Sequence, residues 1–139
     1  MASYEIPTGT FDALYGLVVD DIDLEKGEAR AHVKVVDHLK QPYGLVHGGV
    51  YASIAEGLTS LATFLGVAED GNIAQGLSNQ TSFLRPILDG TIRAVARARH
   101  RGRTTWVWDV EILDDQDRVC ALVRMTVAVR PRPDKAPGG

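Results

Sequence analysis

Glu56 is the one formally charged residue between Lys40 and Glu69. It lies within Gly48–Leu65, where Val50, Ile54, Leu58, Leu61 and Leu65 recur at helical spacing. Almost every other position there is Ala, Gly, Ser or Thr, so the spacing predicts a helix enclosed on most sides. An ionised carboxylate in an enclosed helix is costly unless something pairs or uses it. Glu56 is therefore the first candidate for chemistry. It could attack an electrophilic carbon or activate water as a general base. The plainer reading is an ion pair with an arginine across a subunit interface. Ser60 follows four residues later on the same helix face. Its hydroxyl could position water or bond to Glu56, although a helix serine more often bonds back to the preceding turn. Thr59 points from another face and is the weaker candidate. At the helix start, Gly48 offers a free backbone N–H and no side chain. A carbonyl oxygen that gathers negative charge could approach it closely. The plainer reading of Gly48-Gly49 is tight helix–sheet packing.

The bulk composition narrows the classes. The chain has 139 residues and net charge −3, so one domain spanning 1–139 is expected and nothing argues for nucleic acid. The single cysteine, Cys120, excludes an intrachain disulfide and a multi-cysteine metal site, and it fits a reducing cytoplasm. His32, His38, His47 and His100 show no metal-ligand spacing. Met1–Pro7 lacks the basic and apolar blocks of a signal peptide. The apolar helix is about long enough to cross a bilayer. Its Glu56, glycines and hydroxyls, with no second span, read instead as a buried helix of a soluble protein. No serine-esterase elbow is present: Gly76-Leu-Ser-Asn-Gln80 fails the Gly-x-Ser-x-Gly pattern at its last position.

The positioning elements follow from periodicity. Residues 1–9 are expected to be loosely ordered. Phe11–Tyr15 reads as a short helix capped by Thr10. Leu17–Leu24 reads as a strand, residues 25–28 as a turn, and Ala29–Val35 as an alternating strand. After the helix, with Gly66 as its expected stop, four more strands are expected. These are Ile73–Leu84 with an irregularity near Gly76, Thr91–His100, a strand led by Trp106, Trp108, Val110 and Ile112, and Val119–Val129. Asp114–Asp117 is a hairpin turn, and residues from Arg130 onward form a frayed tail. Short turns between the late strands argue for an α+β domain, with one antiparallel sheet around one long helix. The free sheet face and edges would then pair with another subunit, and Trp106 and Trp108 are candidates for that contact.

Gly44-Leu-Val-His-Gly-Gly49 with Glu56, followed by Asn79-Gln-Thr-Ser-Phe-Leu-Arg-Pro86, resembles the hotdog-fold acyl-CoA thioesterases. Thr104-Thr-Trp-Val-Trp-Asp-Val110 and Val127-Ala-Val-Arg-Pro131 resemble more narrowly the 4-hydroxybenzoyl-CoA thioesterases that use a helix glutamate, within a PaaI-like superfamily. The resemblance covers about residues 12–133. It implies a homo-oligomer, a dimer usually doubled to a tetramer, with the active site between subunits. Glu56 and Ser60 would come from one subunit, and Gln41, His47 and Gly48 from its neighbour. It also implies that Glu56 is the nucleophile or base, that the Gly48 N–H is the oxyanion donor, and that Gln41 orients the carbonyl or water. His47 would fix the helix entrance. Family members typically carry threonine where this chain has Ser60.

On the CoA side, Arg85 matches the family pattern, and an arginine fork suits phosphate. Thr104 and Thr105 follow Gly102 at a turn that suits the same group. Arg103 stands where relatives more often have a small hydroxyl residue, and Asn79 is a further candidate. CoA is part of the substrate, so no separate cofactor is expected. A solvated sheet face explains the alternating Arg93, Arg97 and Arg99. Two other classes remain in view: a hydratase or dehydratase of acyl thioesters built on His47 and Glu56, and a non-catalytic acyl-CoA-binding module.

Overall fold

The computed structural model describes residues 2–133. The elements run in the order β1 (Ala2–Tyr4), α1 (Phe11–Leu14), β2 (Val18–Asp23), β3 (Glu28–Lys34), α2 (Gly48–Val67), β4 (Asn72–Phe83), β5 (Thr91–Arg101), β6 (Thr105–Leu113) and β7 (Val119–Pro131). All seven strands join one antiparallel sheet in the order β1-β2-β3-β5-β6-β7-β4. The sheet curls around α2, which is the hotdog arrangement expected from the sequence. Seven strands are present where six were expected. The additional one is β1, which pairs with β2 through Ala2 and Tyr4 within a segment expected to be loose. Three residues are too few for a period-two signal. The expected frayed tail begins later than Arg130, since β7 continues to Pro131; residues 134–139 lie outside the described set.

The core is the seam between α2 and the inner sheet face. Tyr51, Ile54, Ala55, Leu58, Thr59, Ala62 and Thr63 are the buried helix residues that meet it. Opposite them, strand alternation sends Ile92, Ala94 and Ala96, then Trp108, Val110 and Ile112, then Val123, Met125 and Val127 inward. Thr59 and Thr63 lose no hydrogen bonding on burial, because each donates to the carbonyl one turn earlier. Thr63 also accepts from Trp108 Nε1 at 2.9 Å. This corrects one expectation. Trp106 and Trp108 are buried against the helix of their own chain, at 8% and 1% exposure, and are not offered to a partner. The opposite face of β6 carries Asp109 and Glu111, so the indoles take the dry side.

Gly66 is likewise not the helix stop. A Cβ there would sit 2.6 Å from the Trp106 ring, so glycine admits the indole while the helix runs on to Val67. The chain turns at Gly71, in the left-handed region at φ 76°. α2 with its following turn is long and apolar enough to cross a membrane by composition, but its apolar face is the one the sheet covers.

The β6–β7 hairpin turns on Asp114, which is 5% exposed. Its carboxylate accepts from the backbone N–H of Gln116 and Arg118, both at 2.9 Å, and from Arg118 Nε at 2.8 Å. Burial pushes its pKa upward, but the Arg118 and Gln116 donors and the guanidinium charge outweigh it, and the net shift is downward. A depressed folded-state pKa adds stability above the unfolded value, about 3.9 for Asp. That stability is lost as pH falls through the folded value. Asp114→Asn is therefore expected to lower the melting midpoint at pH 7 and to flatten its acid dependence below about pH 4. Parallel melts of parent and variant at both pH values check this.

Candidate active site

The start of α2 is built by a compact loop. Val46 N–H donates to Ile87 O, His47 N–H to Leu39 O, and Gln41 N–H to Leu45 O, at 2.8–2.9 Å. Gly44 turns the loop at φ 87°. His47 is the N-cap: its Nδ1 accepts from Gly49 N–H at 2.8 Å, which satisfies one of the orphan donors of the first turn. The Gly48 N–H, by contrast, donates to nothing among the described residues, and it stands at the positive end of the helix dipole. Beside it is an open groove of about 500 Å³ lined by Gln41, Leu45, Gly48, Tyr51, Phe83 and Arg85, among others. Gln41, Gly48 and Arg85 are thus brought together, and His47 fixes the frame around them. Phe83 is the residue that sequence reasoning passed over. Its ring lies so close to Gly48 that a Cβ there would be 2.8 Å from it. Only the antiparallel return of β4 past the helix reveals this.

Glu56 and Ser60 line a different groove of about 390 Å³, together with Asp12, Ser53 and Phe11. The eight residues from Gly48 to Glu56 correspond to about 12 Å along the axis. Within one chain the two halves of the expected site are therefore separate. Glu56 is also exposed, where the sequence predicts an enclosed carboxylate. The sheet covers one side of α2, and Glu56 lies at the border of that covered side, beside the edge strand β4 and the groove formed with α1.

Asp12 and Tyr15 are two further residues beside Glu56 that the sequence did not signal. Tyr15 Oη donates to Asp12 Oδ1 at 2.7 Å and to Ser53 O at 3.1 Å. Burial, and then the Asp12 carboxylate, hold the Tyr15 phenol far above its usual range, with Glu56 adding to the push. Gly57 permits this packing, because a Cβ there would meet the Asp12 carboxylate at 2.8 Å. No local pattern announces that α1 docks on α2, so no sequence signal pointed to the pair.

The CoA-side candidates are scattered. Arg85 is exposed at the mouth of the Gly48 groove. Arg103, Thr104 and Thr105 sit at the β5–β6 turn, near the end of α2 where Trp106 meets Gly66. That is roughly 27 Å of helix from Gly48, so one chain does not bring these residues to Arg85. Thr104 O already accepts from Val129 N–H and Arg130 Nη1, both at 2.9 Å. Asn79 is engaged within the chain. Its Nδ2 donates to Ala52 O at 2.9 Å and its Oδ1 accepts from Thr81 Oγ1 at 2.7 Å, so the amide pins β4 to α2.

A seven-stranded antiparallel sheet rolled around one long helix defines the hotdog class of proteins. Family comparison agrees: residues 43–121 match the family described as the Thioesterase superfamily. The chain belongs to that superfamily. The solved thioesterase PA1618 from Pseudomonas aeruginosa superposes with TM-score 0.83 at 34% identity, covering 88% of this chain and 87% of that one. The thioesterase HI1161 from Haemophilus influenzae gives 0.83 at 28% identity, covering 89% and 85%. The 1,4-dihydroxy-2-naphthoyl-CoA hydrolase of Listeria monocytogenes is 31% identical over 112 residues, 81% of this chain and 90% of that protein. The chain is accordingly a thioester hydrolase of a family that acts on CoA thioesters.

Proposed function

We propose that the chain hydrolyses an aromatic acyl-CoA thioester of the 4-hydroxybenzoyl kind, releasing the free acid and CoA. The carrying observation is the pairing of a free Gly48 N–H in one groove with an exposed Glu56 carboxylate in another. The Gly48 N–H stabilises the oxyanion as the thioester carbon becomes tetrahedral. Glu56 either attacks that carbon, expelling CoA thiolate and leaving a mixed anhydride for water to open, or takes a proton from the attacking water. Ser60 and Gln41 orient the water and the carbonyl, and Arg85 takes a CoA phosphate. Arg103, Thr104 and Thr105 serve the nucleotide from another subunit. The aromatic preference is supported by the dihydroxynaphthoyl group in the Listeria relative's name.

The two half-sites call for a second copy. β4 is a sheet edge of 12 residues with one side unpaired, and its Gln75–Ser78 stretch is exposed. An antiparallel pairing of two β4 edges extends the sheet and sets the two α2 helices side by side. Glu56 of each copy can then reach the Gly48 groove of the other. Two such dimers form the tetramer. The setting is a single-domain cytoplasmic enzyme without added cofactor, nucleic acid or membrane partner. A hydratase would need the His47 ring free to move a carbon-bound proton, yet its Nδ1 is occupied in capping.

Thiol release from a panel of aryl- and alkyl-CoA esters tests the proposal. Faster turnover of aryl esters is expected. Preference for long alkyl esters would sink the aromatic assignment, and tight binding with no hydrolysis of any ester would favour the acyl-CoA-binding module.

A further inference from the structure

The irregularity in β4 bears on how the Glu56 carboxylate is placed. The register slips between Gly76, opposite Val127, and Ser78, opposite Thr126, so Leu77 is the extra residue of a bulge. Bulges bend a strand and re-aim what surrounds it. Gly76 is not among the glycines in the left-handed region, so its backbone does not require glycine. Glycine inside a strand weakens it and marks a place where another group comes close. Here that group is Glu56. A Cβ on Gly76 would lie 2.8 Å from Glu56 Oε1, 3.4 Å from its Cδ and 3.6 Å from Met125 Cε. Among the described residues Glu56 forms no ion pair and accepts no side-chain hydrogen bond. Its carboxylate instead reaches over residue 76, into the space that a side chain there would fill.

We infer that Gly76 is a positioning residue, and that the missing side chain at the β4 bulge is the seat that holds the Glu56 carboxylate at its working position. The inference rests on the reading of Glu56 as the catalytic carboxylate. A methyl at residue 76 fills the seat and swings the carboxylate outward along its own torsions, leaving both grooves otherwise intact. Displacing a reacting group by about 1 Å can cost about 10²-fold in rate.

The test is Gly76→Ala, made in the parent, in Glu56→Asp and in Glu56→Ala. In the parent, kcat for the preferred CoA ester is expected to fall about 10- to 100-fold. KM should stay within about threefold, because uniform binding is untouched. The melting midpoint should hold or rise, as alanine suits a strand better than glycine. The Glu56→Asp carboxylate is one methylene shorter and does not reach residue 76. There Gly76→Ala should change kcat by less than about twofold, the signature of direct coupling between two sites. An unchanged kcat in the parent, or an equal loss in both backgrounds, overturns the inference. If Gly76→Ala instead destabilises the protein or its assembly, the Glu56→Ala background decides. Recovery of the midpoint there supports the seat, and persistent destabilisation overturns it. The underlying reading fails separately, through Glu56→Ala that still turns over.

Discussion

Glu56→Ala should lower steady-state thioester hydrolysis by at least about 10²–10⁴-fold, the range general acid–base groups supply. The expectation follows from what else is available. Asp12, the neighbouring carboxylate in the Glu56 groove, already accepts from Tyr15 Oη at 2.7 Å. His47 spends Nδ1 on the helix cap, so neither is a ready substitute. Product binding should survive, because Arg85 and Gln41 line the other groove. Thiol release measures the first effect and CoA titration the second. A variant with near-parent turnover sinks the assignment. Rapid mixing of the parent adds the mechanism: a burst of about one thiol per site before steady state marks carbon attack, since an acyl-enzyme must accumulate first.

Gly48→Ala should cost about 10²–10³-fold in turnover if the Gly48 N–H is the oxyanion donor and the new methyl keeps the thioester carbonyl away. The same methyl meets the Phe83 ring at 2.8 Å, so a single variant confounds chemistry with packing. Adding Phe83→Ala separates them. Phe83 is 58% exposed at the end of β4, and its removal relieves the overlap with modest loss of burial. The double variant is expected to melt near Phe83→Ala alone while remaining about 10²-fold slow. Recovery of turnover with stability would make Gly48 a packing glycine, the plainer reading of the Gly48-Gly49 pair.

The distance between sequence and structure differs from residue to residue. The α2 helix was legible because its evidence is local: helical spacing from Val50 to Leu65 behind a glycine pair. The inner face of β6 was legible as a set, since Trp106, Trp108, Val110 and Ile112 must share one side of a strand. Which side was not, because alternation does not say where the helix lies. The end of α2 is not legible in the sequence, because a glycine that admits the Trp106 ring looks the same as one that ends a helix. Asn79 reads as a substrate contact from its motif, and only the fold shows that its amide bridges β4 and α2. Asp12, Tyr15, Phe83 and Gly76 gained their meaning only from elements distant in the chain.

By itself the sequence determined the helix, the ladder of alternating strands, the positions of Glu56, Ser60 and Gly48 along that helix, and the family motifs. Each depends on spacings of a few residues, and backbone geometry turns such spacings directly into faces and caps. Only the tertiary structure decided that Glu56 is exposed beside the edge strand β4, that Gly48 and Glu56 line separate grooves, and that β4 has one side unpaired. Those facts depend on which surfaces the sheet covers as it curls. Coverage is settled by long-range burial and strand order, to which no short window of residues has access.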